Sequence, residues 1–258
     1  MGAMSTVHLL RDGAVAELRL DHPAKMNAFT VAMLHQLAEH LEMIERDVTL
    51  RAVMVTAEGD KAFCTGADIN GWGDLTPASF ARHWVRDGHR VFDRLARLSK
   101  PTVAVLNGHA FGGGLELAAA CDARVMVPTA KLALPEAGVG IVPGWSGTQR
   151  LLRLLPEPMV KEMALFGQRI GADRAFGCGF VSAVGDDARA LAETLIFPAV
   201  TLSPRAVEIA KSMIHAARDE DRGAMVEALG SAAIAASDDR QEGVAAFREK
   251  RKPDFSGR

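Results

Sequence analysis

The chain has 258 residues, 48% hydrophobic and 24% charged, which excludes a disordered or low-complexity polypeptide and leaves enough chain to bury a large core. Lys and Arg number 30 against 32 Asp and Glu, a formal charge of -2 without long single-sign runs, and this argues against a polyphosphate partner. Cys64, Cys121 and Cys178 are odd in number and form no CxxC pair, so a disulfide framework and a thiolate zinc site are both disfavoured and a reducing cytoplasm is expected.

At the N-terminus no basic, apolar and small-residue sequence marks a secretory signal, and Met1-Gly2-Ala3 reads as an addition ahead of a native start at Met4. Apolar runs ended by turn residues predict strands over 15–20, 52–56, 102–106, 123–127 and 180–184. A helix is predicted over 30–46, with Thr30 as N-cap and Met33, Leu34, Leu37, Leu41 and Ile44 on one face. A second is predicted over 77–98, with Phe80, Trp84, Val91, Phe92, Leu95 and Leu98 as its apolar stripe. Strands apolar on both faces, alternating with helices, predict an α/β class with a buried parallel sheet. Beyond Pro198 the strand signal ends, and helices are predicted over 204–217, 221–236 and 239–250, a helical appendage of about 60 residues. The longest apolar stretch, 101–115, is 15 residues long and carries Asn107, His109 and four glycines, too short and too polar to cross a bilayer.

The most informative segment runs from Asn107 to Asp122, where the 102–106 strand feeds Gly112-Gly113-Gly114 and then an Ala- and Leu-rich helix. Three glycines expose backbone N–H groups at a helix N-terminus whose dipole favours negative charge. Phosphate cradling, oxyanion stabilisation and a close helix–strand contact all use such a turn. The phosphate reading is weakened by the lack of GxGxxG or GxxxxGK[ST]. A second loop, Lys61 to Ile69, follows the 52–56 strand in the same way, so adjacent parallel strands would bring both loops to one carboxyl edge of the sheet. Two backbone N–H groups could then converge on one oxygen, which calls for a carbonyl substrate whose oxygen gains charge.

Glu116 lies in the first turn of the glycine-led helix, and Glu136 follows Pro135 in a loop after 131–134. A poorly hydrated carboxylate has a raised pKa suited to proton transfer near neutrality, and two beside an oxyanion site could hold one water. Taken singly, Glu116 also fits an acidic residue favoured by the helix dipole, and Glu136 a solvated loop carboxylate.

Six motifs occur in order: His22 to Ala28, Phe63 to Ile69, Asn107 to Asp122, Pro135-Glu136, Gly140 to Leu151 and Glu242 to Pro253. Together they resemble the enoyl-CoA hydratase/isomerase (crotonase) superfamily over nearly the whole chain. The resemblance implies a crotonase-like spiral of ββα repeats over 1–200, holding the CoA and active site, and a C-terminal helical oligomerisation region over 201–258 that builds a homotrimer or a dimer of trimers. It implies that the backbone N–H groups of Ala67 and Gly113 hold the thioester oxygen. It further implies that Glu116 deprotonates the water attacking the β carbon of a trans-2-enoyl-CoA and that Glu136 supplies the proton to the α carbon.

By the same resemblance CoA binding would use Ala24, Lys25 and Met26 and the run Ala67, Asp68, Ile69 and Asn70, with Lys25 near the phosphates. Ala62, Gly66 and Ile69 would line the adenine and pantetheine path, and Gly112, Pro135, Gly144 and Trp145 would complete the substrate set. No cofactor is implied beyond the CoA of the substrate, and no metal, nucleic acid or membrane partner is expected. An isomerase or a specialised acyl-CoA dehydratase, such as a carnitinyl-CoA dehydratase-like enzyme, and a binding protein of the same fold are the alternatives.

Small residues are usual in the family where Trp145-Ser146 stand, so Trp145 either narrows the acyl end or packs, and Trp72 raises the same question. Trp84, on its helix's apolar stripe, reads as core. Cys64 and Cys121 read as small core residues and His109 as structural, since no nucleophile elbow accompanies them.

Overall fold

Apolar side chains on both faces of four of the predicted runs place them inside a sheet, and the computed structural model, which describes residues 5–218, 220 and 222–258, shows that sheet. The expected start at Met4 and the expected helix start at Asp221 lie outside the described residues. In chain order the strands are β1 (Thr6–Asp12), β2 (Val15–Asp21), β3 (Ala52–Ala57), β4 (Ala62–Cys64), β5 (Thr102–Leu106), β6 (His109–Phe111), β7 (Ala123–Met126), β8 (Lys131–Ala133), β9 (Ile170–Gly171) and β10 (Ala183–Val184). One sheet has the order β1-β2-β3-β5-β7-β10, antiparallel at β1-β2 and parallel elsewhere. A smaller sheet has the order β4-β6-β8-β9, parallel except at β8-β9.

Each of the pairs β3–β4, β5–β6 and β7–β8 gives one strand to each sheet, so the chain advances as a spiral of repeats and the α/β class holds. The run 180–184 is corrected. Only Ala183 and Val184 pair with β7, while Phe180 and Val181 are buried by a turn packed on the core.

The helices of residues 1–207 are α1 (Val31–Arg46), α2 (Pro77–Ser79), α3 (Arg86–Ala96), α4 (Gly113–Ala120), α5 (Gly147–Leu154), α6 (Glu157–Phe166), α7 (Ala172–Gly177) and α8 (Ala188–Ala199). Thr30 caps α1 as expected, its Oγ1 accepting from the Met33 N–H at 3.2 Å, and the predicted stripe from Met33 to Ile44 is buried. The single helix expected over 77–98 is broken between α2 and α3 by a π-helical stretch, Phe80–Val85. One face of the large sheet packs on α1, α3 lies against α1 and α4, and α4 lies on β4 and β6 of the small sheet, while the other face of the large sheet is closed by Ala188, Ala192 and Ile196 of α8.

The chain divides into two units, Met1–Val207 and Glu208–Arg258. Helix α9 (Pro204–Ala217) ends in the second unit, which continues with α10 (Arg222–Ala235) and α11 (Asp238–Glu249). Ser237 caps α11 through its Oγ, and Arg251 joins Glu242 and Glu249 at its far end. Ile214, Val226, Ile234 and Phe247 of this unit are exposed. Among the described residues no helix is long and apolar enough to cross a membrane.

Candidate active site

Adjacent parallel strands β3 and β5 lead to the two glycine-bearing loops, as their spacing in the sequence suggested. Phe29 fixes the first loop: its N–H donates to Gly66 O at 2.7 Å, and its carbonyl accepts from the Asp68 N–H at 2.8 Å. This bridge uses the neighbours of Ala67 and leaves the Ala67 N–H on the opposite side. In the second loop the Gly112 N–H donates to Ala133 O at 3.0 Å, and Gly113 opens α4 with no preceding turn to receive its N–H. Among the described residues neither the Ala67 nor the Gly113 N–H has an acceptor. The two loops touch: a Cβ on Gly66 would stand 3.2 Å from Gly113 N, and one on Gly114 would stand 2.1 Å from Cys64 O.

Glu116 projects from the first turn of α4 and is 3% exposed. Its Oε1 accepts from the N–H groups of Trp145 at 2.8 Å and Gly147 at 2.7 Å. Burial raises its pKa, against the opposing pull of those two amides and of Arg150. Glu136 is not the solvated loop residue that it resembles when taken singly. It opens a short 3-10 helix, Glu136–Val139, and is 7% exposed, and its Oε2 has no hydrogen-bond partner. Burial first, and then the nearby Glu116 charge, push its pKa up to about 7 against a hydrogen bond from its own backbone N–H.

Glu116, Glu136, Ala67 and Gly113 all line one largely apolar cavity of about 170 Å3. Of the expected site residues it brings together Gly66, Ala67, Ile69, Gly112, Gly113, Glu116, Pro135, Glu136, Gly144 and Trp145. Trp145 both packs, at 3% exposure, and lines the cavity, as does Trp84 at 6%. Trp72 lines it as well.

Ala24, Lys25, Met26, Asp68 and Asn70 lie outside the lining but beside its rim: Met26 O accepts from the Thr65 N–H at 3.2 Å, and Lys25 Nζ is 3.8 Å from Asp68 Oδ1. The Asn70 N–H donates to that same Asp68 oxygen at 3.2 Å. Ala62 is placed differently from its expected position on a ligand path. It is 2% exposed inside β4, where its carbonyl accepts from Asn27 Nδ2, and it lines no part of the cavity. The sequence reading missed Thr65, Val85, Val139, Ile141 and Val142, and it read Phe80 only as helix stripe. The signal available was an apolar run beside Glu136 whose Val139 and Val142 find no core.

His109 is structural: its Nδ1 accepts from the Lys131 N–H at 3.2 Å, and its ring stacks on Phe111. Cys64 is buried, and burial pushes its thiol up to about 12, which removes it as a nucleophile near neutrality.

The family described as Enoyl-CoA hydratase/isomerase matches residues 11–258. A crotonyl-CoA hydratase of Syntrophomonas wolfei subsp. wolfei is 35% identical over 257 residues, covering 98% of each chain. A 2,3-dehydroadipyl-CoA hydratase of Escherichia coli (strain K12) is 34% identical over 259 residues, covering 99% of this chain and all of its own. Among solved structures, an enoyl-CoA hydratase from Bacillus anthracis superposes with a TM-score of 0.79 at 32% identity, over 98% of this chain and 99% of its own.

Proposed function

The chain belongs to the enoyl-CoA hydratase/isomerase family, and on that premise we propose that it is an enoyl-CoA hydratase, a hydro-lyase adding water reversibly across the 2,3 double bond of a trans-2-enoyl-CoA thioester. The observation that carries this reading is the pair of buried acids, Glu116 and Glu136, lining the same small cavity as Ala67 and Gly113, whose N–H groups have no acceptor among the described residues.

In this reading the thioester oxygen accepts from the Ala67 and Gly113 N–H groups. Loss of one such donor typically costs about 2.7–4 kcal/mol of transition-state stabilisation. Glu116 has Oε1 occupied by two amides, which fixes its rotamer and leaves Oε2 for a water. That carboxylate takes a proton as the water oxygen bonds to the β carbon, and the electrons of the double bond move onto the thioester as an enolate. Glu136, held partly protonated near neutrality by its burial, delivers its proton to the α carbon and restores the carbonyl. No dissociable cofactor enters, because CoA is part of the substrate.

Backbone groups of Ala24 to Met26 and Ala67 to Asn70 would receive the CoA moiety, with Lys25 toward its phosphates. The exposed apolar side chains of α9, α10 and α11 support assembly as a homotrimer or a dimer of trimers. A cytoplasmic location goes with an odd number of cysteines widely spaced in the sequence and no CxxC pair.

Loss of the conjugated absorbance of crotonyl-CoA tests the reading. The wild type is expected to bleach it, and Glu116→Gln and Glu136→Gln are each expected to abolish most of the rate. An isomerase needing only Glu136 would keep its turnover in Glu116→Gln. Absence of hydration by the wild type, or full rates in both variants, overturns the proposal.

A further inference from the structure

Part of the cavity wall is aromatic and aliphatic, formed by Trp72, Phe80, Trp84, Val85, Val142 and Trp145, the last of them adjoining Glu116 through its backbone N–H. The π-helical stretch Phe80–Val85 puts residues five apart on one face, so Phe80 and Val85 both reach this wall. Trp145 is wedged in place. Its ring centroid lies 5.3 Å from that of Trp84 and 5.2 Å from that of Phe92, and its Nε1 donates to Trp84 O at 3.2 Å.

Two glycines make room for the indole: a Cβ on Gly88 would stand 2.1 Å from its Nε1, and one on Gly113 would stand 2.7 Å from its Cζ3. The indole therefore spans from α3 to Gly113, in close contact with both backbones and tied to the Trp84 carbonyl. Glu116 and Glu136 are the only charged residues of the lining among the described residues, so nothing there would pair with a charge on the acyl end. The volume, about 170 Å3, is close to that of an apolar cavity of ~150 Å3 that holds one benzene. A group of about six carbons takes up a comparable volume.

We infer that Trp145 is the specificity-determining residue of this site and that the acyl group it admits is uncharged and of about six carbons or fewer. The inference rests on the hydratase reading above and adds the class of acyl group.

The test compares kcat/KM of the wild type, Trp145→Phe and Trp145→Leu on crotonyl-CoA, trans-2-hexenoyl-CoA, trans-2-decenoyl-CoA and 2,3-dehydroadipyl-CoA. A ratio taken within one enzyme sample is independent of how much of a variant folds, and Trp145→Phe keeps an aromatic ring in the cluster. In the wild type decenoyl-CoA is expected to fall at least about tenfold below crotonyl-CoA. The dicarboxylic substrate is expected to fall about a hundredfold below hexenoyl-CoA of equal chain length. Both variants should raise the decenoyl to crotonyl ratio, Trp145→Leu by about tenfold. Equal wild-type rates on decenoyl-CoA and crotonyl-CoA, an unchanged ratio in both variants, or equal rates on the two six-carbon substrates would each overturn the inference while leaving the hydratase standing. If the wild type hydrates none of the four, the hydratase reading falls and takes this inference with it.

Discussion

A second cavity, about 740 Å3, opens on the face of the large sheet that α8 covers, and it differs from the first in what it does to a buried acid. Glu17 lines it and is 7% exposed, the same as Glu136 in the apolar cavity. Burial alone would raise both. Around Glu17, hydrogen bonds from Arg189 at 2.7 Å and Thr56 at 2.7 Å, and the charges of Arg189 and Arg19, outweigh burial and hold its carboxyl below the ordinary range. Around Glu136 no cation among the described residues opposes the rise and one oxygen has no partner, so burial prevails and pushes its pKa up to about 7. Two acids of equal exposure thus become a fixed anion in the larger cavity and a proton donor in the smaller one, and two things separate them: Glu136 is the more deeply surrounded, and Glu17 alone is supplied with partners.

The largest effect should come from removing the donor. Glu136→Gln keeps shape and loses the proton, so kcat on crotonyl-CoA is expected to fall about 10²–10⁴-fold while the substrate still binds. Hydration by the wild type should itself decline as pH rises through about 7, where Glu136 gives up its proton. A rate flat from pH 6 to 9, with chemistry rate-limiting, would separate Glu136 from the proton transfer.

Stability should move in opposite directions at the two acids. The folded chain holds the Glu136 proton more tightly than the unfolded chain does, so stability falls as pH rises from the ordinary 4.5 to about 7, and the penalty persists above that. Glu136→Gln removes it. The variant should gain up to about 3 kcal/mol at pH 8 and nothing at pH 4, read by urea denaturation at the two pH values. Glu17 has the reverse sign: its depressed pKa contributes stability that is present above 4.5 and lost as pH falls through the folded value. Glu17→Gln should therefore cost about 1.5–3 kcal/mol at pH 7, and the gap should narrow in acid. If both variants shifted the same way, partner supply would not be the distinction.

What the sequence made legible follows the same division between strong local signals and partners supplied from afar. Strands β2, β3, β5 and β7 are runs buried on both faces and could be read directly, as could α1 with its Thr30 cap. Strands β4, β6, β8 and β9 have only two or three residues, too few for any period to show, and exist because each lies beside its neighbour in the small sheet. β1 escaped because it is an edge strand with only Val7 fully buried. The glycine turn and both glutamates were legible as residue types. The Glu17 site was not, because Arg189 pairs with it across 172 residues of sequence. The acyl wall was half legible: Trp145 stands out as bulk in a run of small residues, but Val85 and Phe80 reach the cavity through a π-helical stretch that no side-chain pattern announced.

The smallest effect sharpens the comparison at the third buried acid. Glu116 has no ion-pair hydrogen bond like that of Glu17 among the described residues, and no partnerless oxygen like that of Glu136; two amides flanking Ser146 hold its Oε1, with Arg150 adding a more distant charge. Ser146 adopts φ +75°, and this left-handed residue turns the Trp145 and Gly147 N–H groups toward one oxygen. The conformation costs a non-glycine residue about 1 kcal/mol. A hydrogen bond of 2.6 Å between Ser146 Oγ and His89 Nδ1 offsets a similar amount. Ser146→Gly loses the bond and relieves the strain, so stability should stay within about 0.5 kcal/mol and kcat should hold. Ser146→Ala keeps the strain and loses the bond, and should fall by about 1 kcal/mol, as should His89→Ala. Denaturation of the three variants decides the point: if Ala were tolerated better than Gly, the turn would not depend on a left-handed residue, and Glu116 would be aimed by the packing of Trp145 instead.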